Sequence, residues 1–358
     1  MRERRGLAFA LVSEMRRRLK VGLRLAPNQR AKQDIALLVD QVLRSHRRME
    51  CIEDRNMTKI KSRSASEANT DASRRQAASA GEFWIDGDLP IYRLGFGAMR
   101  ITGKGIWGEP PDHDEVIRVL RRAIELGVNL IDTADSYGPE VSERIIAEAL
   151  HPYPAGLVIA TKAGFDRPGP DQWVENGRPE HLRAACEGSL RRLRLERIDL
   201  FQLHRIDPKI PAEDQIGALK DLQTQGKIRH IGLSQVTVAQ IEDARKIVPI
   251  VTVQNRYSLA DQSAEAVLDY CERSKIGFIP WYPLAAGSLT ARGGGLDRAA
   301  TELKITTSQL ALAWLLWRSP VMLPIPGTSR VQHLEENVAA AALKIDGDRL
   351  RELRPGVR

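Results

Sequence analysis

Four side chains with complementary acid–base chemistry stand at, or just after, the ends of short apolar segments. They are a carboxylate, Asp132, a phenol, Tyr137, an ammonium, Lys162, and an imidazole, His204. A phenol has an ordinary pKa of about 10, and a neighbouring ammonium is expected to lower that pKa by stabilising the phenolate. A carboxylate behind the ammonium would keep it charged and in place. The set favours proton transfer to an oxygen on which charge develops, such as a carbonyl oxygen during hydride transfer.

Each of the four residues has a specific role in this hypothesis. Tyr137 is the predicted general acid/base, Lys162 adjusts its acidity, Asp132 anchors Lys162, and His204 orients the carbonyl oxygen or relays the proton. Taken singly, each also has a structural explanation: a tyrosine on a rim, a lysine–aspartate ion pair and a histidine that ends a strand. Titratable residues at the ends of several successive apolar segments favour the catalytic interpretation. Such a residue is energetically costly in an apolar segment unless it is paired or serves a function.

The predicted elements that must position these residues alternate regularly from residue 81 onward. Short segments rich in branched apolar residues alternate with amphipathic, helix-like segments. Eight of them are predicted strands: 93–97, 129–134, 157–164, 198–205, 228–235, 250–257, 277–283 and 321–327. Parallel strands joined by crossover helices produce this alternation, and eight units predict an α/β fold of the (β/α)8 TIM-barrel type. Before them, Asp86-Gly87 predicts the turn of an N-terminal β-hairpin.

The predicted barrel explains why the polar residues fall where they do. Active sites of such barrels lie at the C-terminal ends of the strands. Asp132, Lys162 and His204 end the second, third and fourth predicted strands, and Tyr137 follows the second. The fifth and sixth strands end similarly, in Ser234, Gln235, Gln254 and Asn255.

Seven segments resemble the signature blocks of the aldo-keto reductase superfamily, in the family's order. They are GFGAM at 95–99, LIDTADSYG at 130–138, IATKAGF at 159–165, DLFQLHR at 199–205, GKIRHIGLS at 226–234, VQNRYSL at 253–259 and PIPGTSRVQHLEEN at 324–337. The resemblance covers about residues 81–345 and is strongest to bacterial members, which include pyridoxal reductases. It implies an NADP(H)-dependent oxidoreductase that reduces a small aldehyde or ketone. A regulatory or sensor member of the family, which binds nucleotide with little turnover, is the alternative.

The resemblance also implies a cofactor site. In the family, residues after the fifth and sixth strands hold the carboxamide, an aromatic residue after the seventh stacks on the nicotinamide, and the segment after the eighth binds the adenine end. By position these are Ser234, Gln235, Gln254, Trp281, Gly327, Thr328, Arg330, Glu336 and Asn337. Backbone amides at the start of the last helix are expected to bind phosphate.

Some of these positions depart from the family pattern. Gln235 replaces a common asparagine, and Trp281 replaces a common tyrosine. Gly327 and His333 stand where many members have lysine and arginine against the 2′-phosphate of NADPH. The expected preference for NADPH therefore depends on Arg330.

The net charge of +8 does not predict a nucleic-acid partner, because the charge is unevenly distributed. Residues 1–78 carry 19 basic and 9 acidic residues, a net +10, whereas the rest carries 35 and 37, a net −2. We expect residues 1–80 to be a basic, largely disordered extension with a short amphipathic helix at 33–48. A basic arm that binds nucleic acid or acidic lipid is the alternative for this extension. The near-neutral domain at 81–358 is expected to bind neither nucleic acid nor membrane.

Other sequence features point to a cytoplasmic protein without a metal site. No segment approaches the roughly 20 apolar residues of a membrane span, and the basic N-terminus lacks the pattern of a signal peptide. Cys51, Cys186 and Cys271 show no spacing typical of zinc or a disulfide framework, and we expect them to be buried or incidental. A metal-dependent barrel hydrolase is disfavoured for the same lack of ligands. We expect a monomer or a small homo-oligomer.

The substrate is expected to be a small carbonyl compound held by loops. These are residues 166–177, 206–212 and 285–295, the last with a predicted flap around its glycines. Trp107, Trp173 and Trp281 are candidates for an aromatic pocket that would suit a planar substrate such as pyridoxal. The remaining histidines show no ligand spacing and are predicted to lie at the surface: His113, His151, His181 and His230.

Overall fold

The structure is a computed structural model that describes residues 76–284 and 295–353. Residues 1–75 of the predicted extension lie outside the described residues, and with them Cys51 and the helix expected at 33–48. Most of the third substrate loop, 285–294, also lies outside them.

Eleven strands occur in the described residues. They are β1 Glu82–Ile85, β2 Leu89–Tyr92, β3 Phe96–Gly97, β4 Leu130–Asp132, β5 Val158–Ala163, β6 Phe165–Asp166, β7 Val174–Glu175, β8 Ile198–Leu203, β9 Ile228–Ser234, β10 Thr252–Arg256 and β11 Gly277–Trp281. Strands β1 and β2 pair antiparallel, and the turn between them contains Asp86 and Gly87, both with positive φ. That backbone conformation suits the twist of a tight hairpin.

Ten α-helices alternate with the strands in the part of the chain that the structure describes. They are α1 His113–Glu125, α2 Val141–Leu150, α3 Pro179–Leu193, α4 Ala212–Thr224, α5 Val238–Arg245, α6 Glu265–Ser274, α7 Gly295–Leu303, α8 Thr307–Arg318, α9 Val331–Ala339 and α10 Gly347–Glu352. Two of them begin with a capping box, Thr237 with Gln240 and Thr306 with Gln309, which satisfies first-turn amides.

Seven strands form one curled parallel sheet in the order β11-β10-β9-β8-β5-β4-β3. The eighth predicted strand, 321–327, is not a regular strand, but it does connect the two edges of that sheet. The Phe278 amide donates to Val321 and the Leu323 amide donates to Phe278, both at 2.8 Å, while the Gly95 amide donates to Pro324 at 3.0 Å. Pro324 and Pro326 lack the N–H groups that a full ladder requires. The arrangement fits a (β/α)8 barrel whose last strand is reduced to a short bridge.

The hairpin closes one end of the sheet's interior. Ile85, Leu89 and Ile91 pack with inward residues of the strands, including Leu130 and Leu200. The prediction that His230 lies at the surface is wrong: its side chain is 5% exposed, and its Nε2 lies 2.8 Å from Asp88 Oδ1 of the hairpin turn. Alternation along β9 puts His230 on the same inward face as Ser234, and the hairpin covers this face at the end of the strand where His230 lies.

The other face of the strands packs against the helices. Ile131 and Ile159 join residues of α1 and α2 in one cluster, and Phe201 and Ile231 join a larger one with α3 and α4. Cys186 and Cys271 are fully buried there, as predicted. Within the described ranges, no helix is both long and apolar enough to cross a membrane.

Candidate active site

The structure brings the ammonium, the carboxylate and the phenol together at the C-terminal ends of β4 and β5. Lys162 Nζ lies 2.6 Å from Asp132 Oδ2 and 3.4 Å from Tyr137 Oη, and it also donates to the Thr133 carbonyl at 2.7 Å. Lys162 is fully buried, and Asp132 and Tyr137 are nearly so. Because Lys162 contacts both groups in a buried environment, Asp132 can keep the ammonium charged and in place while the ammonium stabilises the phenolate form of Tyr137.

Burial changes the acidity of this group in a way that the residue types alone did not predict. It raises the pKa of Tyr137 above its ordinary value, and the opposing charge of Lys162 reduces this increase without cancelling it. Burial also acts to lower the pKa of Lys162, but the charges of Asp132 and Tyr137 outweigh it and leave that pKa raised. The expectation that Lys162 lowers the phenol's pKa therefore holds for its direct effect, but desolvation is the larger effect.

The second carboxylate oxygen of Asp132 is held by two glutamine amides. Gln202 Nε2 donates to Asp132 Oδ1 at 3.1 Å, and Gln254 Nε2 donates to it at 2.9 Å. Sequence reasoning missed Gln202, although it stands two residues before His204 on the same face of an otherwise apolar strand. Gln254, predicted to hold a carboxamide, thus also positions the carboxylate.

His204 lies beside the phenol and is surrounded by aromatic rings. Its ring centre is 5.9 Å from that of Tyr137, 4.8 Å from Phe165 and 6.1 Å from Trp173. Its Nδ1 is 3.3 Å from Ser136 Oγ. Burial and the nearby cations, Lys162 first among them, hold the pKa of His204 well below its usual range. A neutral imidazole can both donate and accept a hydrogen bond.

A cavity of about 490 Å³ opens onto this group. Asp132, Tyr137 and His204 line it, together with Gly97, Met99, Arg100, Ile106, Phe165, Trp173, Glu175, Arg205, Ser234, Gln254, Trp281, Tyr282, Pro283, Leu284, Ile325, Pro326 and Gly327. The first predicted substrate loop contributes Trp173 and Glu175, whereas 206–212 contributes no lining residue.

Trp107 was predicted to line the same pocket, and it does not belong to this lining. Its ring instead lies 5.7 Å from the guanidinium carbon of Arg167.

The predicted nicotinamide residues gather at one side of this cavity. Ser234, Gln254 and Trp281 line it, and Gln235 stands directly behind Trp281, whose Nε1 donates to Gln235 Oε1 at 2.9 Å. Gln235 has a φ of 56°, which turns the chain immediately after β9. Gly327 also lines the cavity, where a Cβ would come 2.5 Å from the Gly97 carbonyl, so a larger residue does not fit.

Apart from Gly327, the predicted adenine-end residues lie outside the cavity lining, and two of them stand just before α9. Thr328 Oγ1 accepts from the Arg330 amide at 3.1 Å, and the Arg330 side chain is exposed. The Val331 amide donates to Glu115 Oε1 of α1 at 3.0 Å. One of the backbone amides that we expected to bind phosphate is therefore already hydrogen-bonded to a carboxylate. The two remaining predicted residues are further along α9, Glu336 partly exposed and Asn337 buried.

Two arginines beside the site were missed by sequence reasoning. Arg167 donates to the carbonyls of Gln172, Ser136 and Gly105, and its guanidinium carbon lies 3.7 Å from the Trp173 ring centre. It therefore ties three loops together next to Tyr137. Arg205 directly follows His204 and lines the cavity.

The site contains no obvious place for a metal ion. Among the described residues, no group of three or more His, Cys, Asp or Glu side chains is arranged to hold one.

Comparisons with known proteins bear on this geometry. The family model of the aldo/keto reductase family matches residues 93–355. An uncharacterized oxidoreductase of Schizosaccharomyces pombe is 53% identical over 272 residues, 76% of this chain and 88% of the relative. Pyridoxine 4-dehydrogenase of Escherichia coli is 43% identical over 273 residues, 75% of this chain and 95% of the relative.

The fold of this chain is also similar to that of a solved structure. The aldo-keto reductase from Klebsiella pneumoniae in complex with NADPH superposes with a TM-score of 0.66 at 25% identity, covering 77% of this chain and 96% of that one. The residues that the family model matches include the buried tyrosine–lysine–aspartate group and the lining of the cavity beside it. The predicted family is confirmed: this chain belongs to the aldo/keto reductase family.

Proposed function

We propose that this protein reduces an aldehyde or ketone to the alcohol with NADPH, with Tyr137 as the general acid. The observation that carries the proposal is the buried contact of Lys162 with Asp132 and Tyr137 at the wall of a 490 Å³ cavity that His204 also lines. The Klebsiella pneumoniae relative solved with NADPH and the Escherichia coli pyridoxine 4-dehydrogenase support it.

The cavity wall suits a nicotinamide cofactor. The Ser234 hydroxyl and the Gln254 amide, which can exchange hydrogen bonds with a carboxamide, line the same cavity as the flat, partly buried Trp281 indole. These residues and Gln235 would hold the nicotinamide end, while Gly327, Thr328, Arg330, Glu336 and Asn337 would hold the adenine end. When bound, NADPH supplies the hydride for carbonyl reduction.

The chain's own residues then handle the proton and the developing charge. Tyr137 is protonated near neutrality because burial raises its pKa, so it can donate its proton to the carbonyl oxygen. Lys162 stabilises the resulting phenolate, and Asp132, held by Gln202 and Gln254, keeps Lys162 in position. Neutral His204 donates a hydrogen bond that orients the same oxygen.

An aromatic aldehyde, with pyridoxal as the first candidate, fits the rest of the cavity. Phe165 and Trp173 supply aromatic surface along its wall, and such surfaces favour planar ligands. The name of the Escherichia coli relative points to the same chemistry.

A substrate screen that follows NADPH absorbance tests the proposal, with pyridoxal, benzaldehydes, aliphatic aldehydes and ketones in the panel. We expect turnover with at least one carbonyl class and none with Tyr137→Phe. Tight NADPH binding without turnover of any carbonyl would contradict it and favour a regulatory member of the family.

A further inference from the structure

Arg205 presents a fixed guanidinium to the cavity that carbonyl reduction as described above does not use. Its Nη1 donates to the His204 carbonyl at 2.7 Å and to Ser234 Oγ at 3.0 Å, and its guanidinium carbon lies 5.6 Å from the Phe165 ring centre. The side chain is partly buried and lines the cavity. It is therefore anchored between the candidate catalytic histidine and the serine expected to contact the cofactor.

This guanidinium lacks the carboxylate partners that two other partly buried arginines have. Arg192 forms ion pairs with Glu140 and Glu143, and Arg318 contacts Glu265 and Asp269. Arg93 and Arg167 also lack such partners in the described ranges, but all of their side-chain nitrogens donate to backbone carbonyls.

No carboxylate of the described residues lies within 4.0 Å of Arg205, the limit of an ion pair. Burial lowers the pKa of Arg205, and the longer-range charges of Tyr137 and Glu175 oppose this without cancelling it.

The donors of Arg205 are also only partly used. Nε and Nη2 make no hydrogen bond to any residue in the described ranges, while Nη1 makes two. A partly buried guanidinium at a cavity wall is energetically costly unless an anion accepts hydrogen bonds from its remaining donors.

The other charges of the cavity lining do not supply that anion. Asp132 is committed to Lys162 and two glutamine amides. Glu175 is exposed, and Arg100, also exposed, adds a second positive charge. Within the described ranges, the charge of Arg205 next to the reacting group therefore has no carboxylate partner.

We propose that Arg205 binds an anionic oxygen of the substrate close to its carbonyl group. The preferred substrates would then be aromatic aldehydes that carry a carboxylate or phenolate, because the planar guanidinium pairs well with such oxygens and the cavity wall is aromatic. This inference rests on the proposed carbonyl reduction and deepens it by naming the substrate class.

The test compares 2-, 3- and 4-carboxybenzaldehyde with their methyl esters, which lack the negative charge and carry one additional methyl group. For the wild type we expect kcat/KM to be higher for at least one acid than for its ester. Arg205→Met should lower kcat/KM for that acid by about tenfold or more and leave the ester within about threefold. Arg205→Lys should keep part of the preference, because it keeps the charge without the planar fork.

Arg183→Met is the matched control. Arg183 is an exposed arginine of α3 that pairs with Asp221, so its loss should not change the acid-to-ester ratio. Equal losses on acid and ester in Arg205→Met would mean that Arg205 acts only through His204 and Ser234, and would overturn the proposal. A wild type without preference for any acid would do the same.

Binding of benzoate, measured by isothermal titration calorimetry, gives a readout independent of turnover. We expect benzoate to bind the wild type in competition with substrate-sized aldehydes and to bind Arg205→Met at least about tenfold more weakly. If no carbonyl is reduced, the proposed function fails while this measurement still decides whether Arg205 is an anion site. Equal benzoate affinity in both proteins would refute the site.

Discussion

At the scale of single residues, the candidate site depends on the opposition between burial and charge around Tyr137. Burial favours the neutral phenol, whereas Lys162 favours the phenolate, and burial is the stronger of the two. Lys162 itself stays charged because Asp132 and Tyr137 outweigh its desolvation. A neutral phenol held 3.4 Å from an ammonium is a proton donor whose conjugate base is already stabilised.

Removing the phenolic hydroxyl should therefore abolish the chemistry without disturbing the cavity. In Tyr137→Phe we expect kcat for carbonyl reduction to fall by about three orders of magnitude or more, because general acid catalysis and the contact with Lys162 are both lost. NADPH binding, measured by fluorescence titration, should change little. Retained turnover would show that another group is the acid.

The pH dependence of the two reaction directions should follow the same phenol. Its pKa is raised above the ordinary 10.0, so the phenol keeps the proton needed for reduction at every pH below that raised value. It loses the proton only as the pH rises past that value. Alcohol oxidation needs the phenolate and should increase with pH over the same range. In profiles of kcat from pH 6 to pH 10.5 we therefore expect reduction to stay nearly constant and oxidation to be still rising at the upper end, and a reduction limb centred near neutrality would contradict the assignment.

His204 should contribute no titration to these profiles. Its pKa is held well below 6.5, so the imidazole stays neutral throughout the neutral and alkaline range.

The exposed Arg330 at the start of α9 should set the choice between nucleotides. Arg330→Ala should weaken NADPH binding by about tenfold while NADH binding changes little, because only NADPH carries the 2′-phosphate that a guanidinium would bind. Dissociation constants for both nucleotides measure this. Equal losses would remove Arg330 from the phosphate site.

At the scale of secondary-structure elements, a buried ionic group joins two helices to the strand that carries Lys162. Glu143 of α2 is fully buried, its Oε2 lies 2.6 Å from Arg192 Nε of α3, and its Oε1 accepts from Thr161 of β5 at 2.6 Å. The residue next to Thr161 is Lys162, so this group helps to hold the strand end that positions the ammonium.

Breaking this group should cost far more stability than breaking an exposed pair between helices. Glu143→Ala removes the buried partner of Arg192, leaving it only the exposed Glu140, and removes the acceptor of the Thr161 hydroxyl; we expect the free energy of unfolding to fall by about 3–5 kcal/mol. Asp221→Ala, which removes the exposed partner of Arg183 between α3 and α4, should cost less than about 1 kcal/mol. Urea denaturation of both variants tests the contrast, and similar losses would show that the buried group is not structural.

At the scale of the whole barrel, stability and chemistry are separated between its two ends. The hairpin packs its apolar residues into the interior at the N-terminal ends of the strands. The cavity lies at the C-terminal ends, together with Asp132, Tyr137, Lys162 and His204. This division is usual for (β/α)8 barrels, in which loops at one face carry function and the other face carries stability.

A core substitution in the hairpin should therefore destabilise the barrel without altering the site. Ile91 is fully buried, so Ile91→Ala should lower the free energy of unfolding by about 2–5 kcal/mol, with the dissociation constant for NADPH unchanged at temperatures where the protein is folded. Trp84→Ala, at a position of the same hairpin that is 53% exposed, is the control and should cost much less. A large change in NADPH affinity for Ile91→Ala would contradict this separation of the two ends.

The sequence by itself determined the order of the elements and the family, and it pointed to the four residues that the fold brings together in the candidate site. Alternation of apolar and amphipathic segments is a local property, and the motifs that carry Asp132, Tyr137, Lys162 and His204 are short. The same local patterns were insufficient at 321–327, where the prolines left only a bridge of the eighth predicted strand.

Only the tertiary structure decided how strongly each group is buried and which distant partners it has. The raised pKa of Tyr137, the two amides on Asp132, the burial of His230 under the hairpin and the anchoring of Arg205 on Ser234 all depend on contacts between residues far apart in the chain. Desolvation and ion pairing are set by those contacts, and a residue's type and spacing do not contain them.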